Sequence, residues 1–393
     1  VTIRLCLVIP TLDCGGAEKQ LCLLAAGLPR DRFDVHVVLL TRDGPRRRLL
    51  DEANVPVTVI GKRLKADPTA YFRLRRCLKR LRPDIVHTWL FAANSYGRTA
   101  ARSLAVPTIL GSERCVDLWK TSRHFAIDRY LARRTTGLTT NSQGVIDFYA
   151  RHGIDAARFH VVPNGIETSP DDAVRRWPNT PEAAGASPVA ASSAAAGRLD
   201  RDAACRRLGV DPGRRLIFAV GRLWPQKRYR DLIWGGEMLG LLRGDTTLVI
   251  LGDGPQRGEL MRYRDAVTNP QRVWFAGPQQ DVPELLPHAE AFWIGSAYEG
   301  QSNAVMEAMR AAVPVVASDI PGNRDLVVDG QTGILVGLGD AAEFAKVTNG
   351  LLEDADRAAD YGRAGRARII EHFSIDDMTQ RHVDLYQTLS RRS

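Results

Sequence analysis

Short apolar runs alternating with helical repeats set the pattern of this chain. RLCLVIP, DVHVVLL, VPVTVI, DIVHTWL, VPTILGS and GLTTNS are brief, rich in β-branched residues and bounded by turn residues, which predicts buried strands. Segments such as AEKQLCLLAAGL and ANSYGRTAARSLA lie between them and carry helical spacing. Strand-helix alternation of this kind argues for a parallel sheet covered on both faces. A second series follows: RLIFAVG, TTLVILG, RVWFAG, AFWIGS, VPVVAS and TGILVG. Between the two series, Thr168 to Asp200 is rich in Ala, Ser and Pro without apolar periodicity, and reads as a linker or insertion. SIDDMTQRHVDLYQTL closes the chain as one amphipathic helix.

The expected fold is therefore α/β, with two Rossmann-like doubly wound domains. Residues 1–168 form the first, 169–212 the linker or insertion, and 213–374 the second. A length of 393 residues agrees, being too great for one ordinary core. Such sheets bind ligands at the carboxyl ends of their strands, so two of them facing each other would form a binding cleft.

Charge and cysteine content narrow the setting. The net +9 is uneven: residues 1–170 hold 27 Lys and Arg against 15 Asp and Glu, whereas the remainder is slightly acidic. Arg46-Arg47-Arg48 and the run from Lys62 to Arg82 dominate this excess. A solvated helix face, nucleic acid and an anionic membrane surface are the three readings of such runs. No aromatic-basic module or zinc spacing supports nucleic acid, which is not expected as a partner. The six cysteines are scattered without a CxxC pair, consistent with reduced thiols in a cytoplasmic protein. The apolar run before Pro10 is too short for a signal peptide, and no stretch approaches the ~18 apolar residues of a membrane span.

Three glycine-bearing turns close strands. In LDCGGAEKQ, Gly15 and Gly16 stand between a strand and a helix, where backbone lacking Cβ can approach a ligand; a plain tight turn is the alternative. Neighbouring Cys14 is expected to be a small buried thiol rather than a nucleophile. In AVGRLWPQKRYRDLI, Gly221 ends the strand, and Arg222 and Lys227 put two cations at a strand-helix junction. That placement suits a diphosphate, although pairing with surface acids would also account for it. The third turn is VILGDGP. In YEGQSNAVMEAMRAA, Glu299 and Gly300 to Asn303 form a loop, Ser302 or Asn303 caps the helix, and Glu307 lies about one turn inside it. Carboxylates only accept hydrogen bonds, so Glu307 could hold the two hydroxyls of a ribose and Glu299 those of a sugar.

With these residues in place, EGQSNAVMEAMRAAVPVVASDIPGNRDLVVDGQTGILV resembles the donor-binding region of family 4 (group 1) retaining glycosyltransferases, including their Glu-x7-Glu pair. GGAE, VVPNGIE, GRLWPQK and LGDGP match further blocks of that family in order, so the resemblance spans nearly the whole chain. It implies the GT-B architecture, with the last helix (375–393) packing back on the first domain. It implies a hexosyl transfer from a UDP- or GDP-linked sugar to a saccharide or lipid-linked acceptor in cell-surface polysaccharide synthesis. Carried over, Arg222 and Lys227 hold the diphosphate and Glu307 the ribose. Glu299 and the Gly300, Gln301, Ser302 and Asn303 amides address the donor sugar and phosphates, and Gly15 and Gly16 close over the donor. Relatives often carry His-x-His where this chain has His87-Thr88-Trp89, which makes His87 an active-site candidate, with a core histidine as the alternative. Ala312 stands where the family commonly has glycine, a change expected to be tolerated.

No metal or other cofactor is expected. The strings Asp200-Arg-Asp202 and Asp354-Ala-Asp356 lie in the linker and a terminal helical segment, not at a strand end. A nucleotide-sugar epimerase on the same fold is the rival enzyme reading, and a basic nucleic-acid-binding protein the non-enzymatic one. A cytoplasmic enzyme, peripheral on the inner face of the membrane, completes the expectation.

Overall fold

The computed structural model describes residues 2–168, 199–279 and 281–391. The chain divides into two compact units, Val1–Glu167 with Phe373–Ser393, and Thr168–His372.

The first unit contains a seven-stranded parallel sheet. Its strands are β1 (Ile3–Ile9), β2 (Phe33–Leu39), β3 (Val57–Val59), β4 (Ile85–Trp89), β5 (Thr108–Glu113), β6 (Gly137–Thr140) and β7 (Phe159–Val161). Their spatial order is β3-β2-β1-β4-β5-β6-β7. Helices cover both faces, so strand residues of either parity are apolar. Leu5, Leu7 and Ile9 enter one core, and Cys6 and Val8 the other. The helix Ile375–Ser390 fills the first of these cores through Met378, Val383, Tyr386 and Leu389. Ser374 Oγ accepts from Asp377 N at 3.0 Å and caps its start.

The second unit repeats the plan with β8 (Arg215–Val220), β9 (Thr246–Leu251), β10 (Val273–Gly277), β11 (Ala291–Ile294), β12 (Val315–Ser318) and β13 (Ile334–Val336). Its order, β10-β9-β8-β11-β12-β13, is the Rossmann order. The chain reverses direction across the sheet between β1 and β4 in one unit, and between β8 and β11 in the other. Ligands of open α/β sheets bind outside the carboxyl ends of the strands at that switch point.

The predicted strands all form, and β7 adds one that the sequence pattern did not single out. The linker expectation needs correction at its end. Residues 169–198 lie outside the described residues, but Arg201–Leu208 is a helix belonging to the second unit. It buries Ala204, Cys205 and Leu208, and Leu208 O accepts from Trp274 Nε1 at 2.7 Å.

Candidate active site

The switch point of the second unit gathers the cations and one glutamate singled out above. Strand β8 is followed by Gly221, whose carbonyl accepts from the Tyr229 hydroxyl at 3.2 Å. Burial, and after it the Glu299 carboxylate, push the Tyr229 phenol above its ordinary pKa, so it stays a donor. The loop after β9 lies directly on this turn. Leu223 N donates to Asp253 O at 2.9 Å, and a Cβ on Gly252 (φ 150°) would come within 2.0 Å of Gly221 O. Glycine in LGDGP thus serves the close approach of two loops.

A short turn, Pro225–Lys227, then aims Lys227 toward the end of β11. Two hydrogen bonds join the loops: Ala297 N donates to Gln226 O at 2.8 Å, and Gln226 Nε2 to Tyr298 O at 2.7 Å. Next to them Lys227 Nζ meets Glu299 Oε1 at 2.5 Å, with side chains only 16% and 11% exposed. Arg222 is exposed, its guanidinium 5.4 Å from the Trp224 ring centroid. Arg228 and Arg230 are occupied elsewhere, pairing with Asp231 and Glu259.

Behind Glu299, Gly300 and Gln301 lead into the helix Asn303–Arg310, capped by the Ser302 hydroxyl at 3.5 Å from Val305 N. This helix buries Val305, Met306, Ala308 and Met309 and leaves Glu307 half-buried at its rim, beside Pro283, Arg310 and Ala311. Gly322 supports the loop from behind, since a Cβ there would lie 1.8 Å from Gly300 O. Ala312 ends the helix at φ 57°, a left-handed conformation that costs an L-residue roughly 1–2 kcal/mol. The change from glycine is thus accommodated with strain.

Gly15, Gly16 and His87 belong to the first unit. Gly15 is the N-cap of the helix Gly16–Gly27, at the carboxyl end of β1, and the Glu18 carboxyl occupies the space its Cβ would take. Cys14 is exposed, not buried as expected, because the turn carries it outward. His87 also departs from expectation. It is wholly buried, with Nδ1 2.7 Å from the Tyr386 hydroxyl and Nε2 3.0 Å from Thr139 Oγ1. Both ring nitrogens are spent on holding the terminal helix to the sheet, and burial pushes the imidazole well below its ordinary pKa. It is a core histidine, corrected here from an active-site candidate.

Sequence reasoning missed Gln226, Tyr229 and Gly322. Gly322 and Gln226 stood within recognised family stretches, but Tyr229 carried no signal. Both Asp-x-Asp strings start helices: Asp200 Oδ1 accepts from Ala203 N, and Asp354 Oδ1 from Arg357 N.

Two family models match, "Glycosyltransferase Family 4" over residues 14–170 and "Glycosyl transferases group 1" over 214–354. The chain belongs to the group 1, family 4 glycosyltransferases. Among relatives of this glycosyltransferase, the alpha-maltose-1-phosphate synthase of Mycolicibacterium smegmatis is 29% identical over 332 residues, 78% of this chain and 79% of that one. The UDP-Gal:alpha-D-GlcNAc-diphosphoundecaprenol alpha-1,3-galactosyltransferase of Escherichia coli is 25% identical over 374 residues, 91% and 90% of the two chains. In fold, the glycosyltransferase resembles Anabaena HepE crystallised with UDP-glucose, at a TM-score of 0.80 and 22% identity, covering 98% of this chain and all of that one. Its two Rossmann-like units are those of the GT-B fold.

Proposed function

We propose that this glycosyltransferase moves a hexosyl group, with retention of configuration and without a metal, from a UDP- or GDP-linked sugar to a saccharide or lipid-linked acceptor in cell-surface polysaccharide synthesis. The observation that carries the reading is the Lys227–Glu299 pair at the ends of β8 and β11, beside the helix that bears Glu307. As the sugar–phosphate bond breaks, negative charge grows on the diphosphate. Arg222, Lys227 and the first-turn amides of the helix Asn303–Arg310 would neutralise it. Positive charge grows on the sugar, where Glu299 would steady it and hold hydroxyls. Glu307 would accept from the ribose hydroxyls. In same-face attack the departing phosphate takes the acceptor's proton, so no protein base is required. An inverted anomeric proton in the product, seen by NMR, would sink that part of the reading. The names of the two relatives, one making a sugar phosphate and one acting on a diphosphoundecaprenol-linked sugar, support a saccharide or lipid-linked acceptor.

Calorimetric titration with UDP and with GDP in EDTA tests the donor site. One nucleotide is expected to bind, and Glu307→Ala to weaken it tenfold or more, about 1.4 kcal/mol. Failure of both nucleotides to bind the folded protein overturns the proposal.

A cytoplasmic, peripheral membrane setting is part of the same reading. Among the described residues no helix is long and apolar enough to cross a membrane. The helix Pro68–Leu81 carries Arg76, Lys79 and Arg80 on its exposed side, with exposed Phe72 on the same helix and Leu64 just before it. Such a face suits an anionic bilayer at about 1 kcal/mol per cation near the surface. Co-sedimentation with phosphatidylserine vesicles is expected at low salt and not with neutral ones; equal pelleting with both would refute it.

A further inference from the structure

The cations that follow β8 are not all in the same state. Lys227 meets Glu299 at 2.5 Å, Arg228 meets Asp231 at 2.5 Å and Arg230 meets Glu259 at 3.4 Å. Arg222 differs. Among the described residues no carboxylate forms an ion pair with it, and its guanidinium lies against the Trp224 indole, with Cζ 5.4 Å from the ring centroid. That separation is inside the ~6 Å reach of a cation over an aromatic face, and tryptophan is the most attractive ring for it.

The backbone fixes where the indole stands. Trp224 N donates to Arg222 O at 2.8 Å, closing a three-residue turn about Leu223, whose side chain is fully buried while both neighbours are exposed. The turn is pinned to the loop after β9, because Leu223 N donates to Asp253 O at 2.9 Å and Leu223 O accepts from Gln256 N at 3.2 Å. A Cβ on Gly254 would come within 2.6 Å of that same carbonyl oxygen, so the two loops meet backbone to backbone. Pro225 then confines Trp224 to extended backbone (φ −120°, ψ 153°), and Trp224 O accepts from Lys227 N at 2.9 Å. One turn thereby sets the places of Arg222, Trp224 and Lys227 together. The indole is 48% exposed, so the fold gains little from burying it.

A ring offers a cation something that an acid does not. A carboxylate neutralises a guanidinium and takes up its N–H donors, and an arriving anion must displace it. The face of an indole attracts the cation through its quadrupole and leaves the in-plane N–H donors and the charge available. We propose that Trp224 is a positioning residue for the donor diphosphate: it holds the Arg222 guanidinium at the carboxyl end of β8 without neutralising it, so that the diphosphate gains a charge-assisted hydrogen bond and breaks no ion pair. Holding the long arginine in place beforehand also spares rotamer freedom that binding would otherwise remove. The inference rests on the donor reading of this site and adds to it a residue that acts only through Arg222.

The test is a double-mutant cycle on the full-length protein, titrated with UDP and with GDP. For the nucleotide that binds, Arg222→Ala should weaken binding about tenfold or more and Trp224→Ala about three- to fivefold. Trp224→Phe keeps a ring and should stay within about twofold of wild type. Once Arg222 is alanine, Trp224→Ala should weaken binding no further, and neither alanine should move the melting temperature. A packing role would lower the melt, and a ring that touches the nucleotide itself would weaken binding in both backgrounds. Losses that add in the double variant, a single alanine variant that binds as the wild type does, or a Trp224→Phe as weak as Trp224→Ala overturns the inference and leaves the donor site standing. Failure of both nucleotides to bind the folded wild type would refute the donor reading, and this inference with it.

Discussion

Replacing Lys227 with alanine is expected to lower kcat for sugar transfer by about 10²–10³-fold, or about 3–4 kcal/mol of transition-state stabilisation. The ammonium is held at 2.5 Å from Glu299 and is only 16% exposed, so it is already oriented before any charge develops nearby. Preorganisation of this kind is the reason one donor has so large an effect: no solvent need reorganise as the diphosphate leaves. Lys227→Ala also strips Glu299 of its partner and turns a balanced pair into a lone carboxylate near an anionic leaving group. Lys227→Arg keeps the charge but changes its shape, and should recover part of the rate. The rest of the fold should be little affected, because the loop is held by the Gln226 hydrogen bonds to Ala297 and Tyr298. Steady-state kinetics with the donor that binds, together with a thermal melt, measure both effects. A kcat within threefold of wild type would remove Lys227 from the proposed machinery.

The largest expected loss of stability lies in the other unit. Lys120 is fully buried, with Nζ 2.9 Å from Asp128, 3.2 Å from both Glu113 and Asp117, and 2.6 Å from the Tyr149 hydroxyl. Asp128 also meets Arg98 at 3.3 Å, each 1% exposed. Burial alone would lower the Lys120 pKa, but the carboxylates of Glu113, Asp117 and Asp128 lift it above the ordinary value. Removing one member of a buried ionic network strands the others, at about 3–5 kcal/mol. Lys120→Met is therefore expected to lower the melting temperature of this unit by roughly 6–20 °C.

The deficit should depend on pH. Burial, then the Glu113 charge, raise the Asp128 carboxyl to about 6, above its unfolded value of about 3.9. A group whose folded pKa is raised favours the folded state below that pKa and loses this contribution as pH rises through it. Without Lys120 the Asp128 and Asp117 carboxyls, already raised by burial, protonate more readily still, so the gap between variant and wild type should narrow from pH 8 to pH 5. Melts at the two pH values decide the point; a gap that widens in acid would contradict the network.

Apolar periodicity made the strands legible because a parallel sheet buried on both faces needs continuous short apolar runs. Strand β7, three residues long, and the helix Arg201–Leu208 were too brief or too polar to register. Glu299 and Lys227 were legible by residue type and by family resemblance, yet their contact spans 72 residues and no local pattern states it. The ionic network around Lys120 was silent for the same reason, since its members come from β5, the following loop and three helices. The Asp-x-Asp strings were set aside by their position in the sequence, and each caps a helix, a task that short polar side chains commonly perform. His87 failed as a site because one imidazole in a sequence cannot reveal whether solvent reaches it.

The terminal helix gives the chain an order of assembly that its linear map hides. Ile166 N donates to Phe373 O at 2.8 Å, and Ile375 N to Ile166 O at 3.1 Å, so the first unit closes with residues that follow the whole of the second. In modular terms the second unit is a guest inserted into a host. A chimera that exchanges donor-binding units should therefore be cut twice, after Glu167 and before Phe373, leaving the host's last helix in place. A single-cut tail exchange would take Met378, Val383, Tyr386 and Leu389 out of the host's core along with the guest.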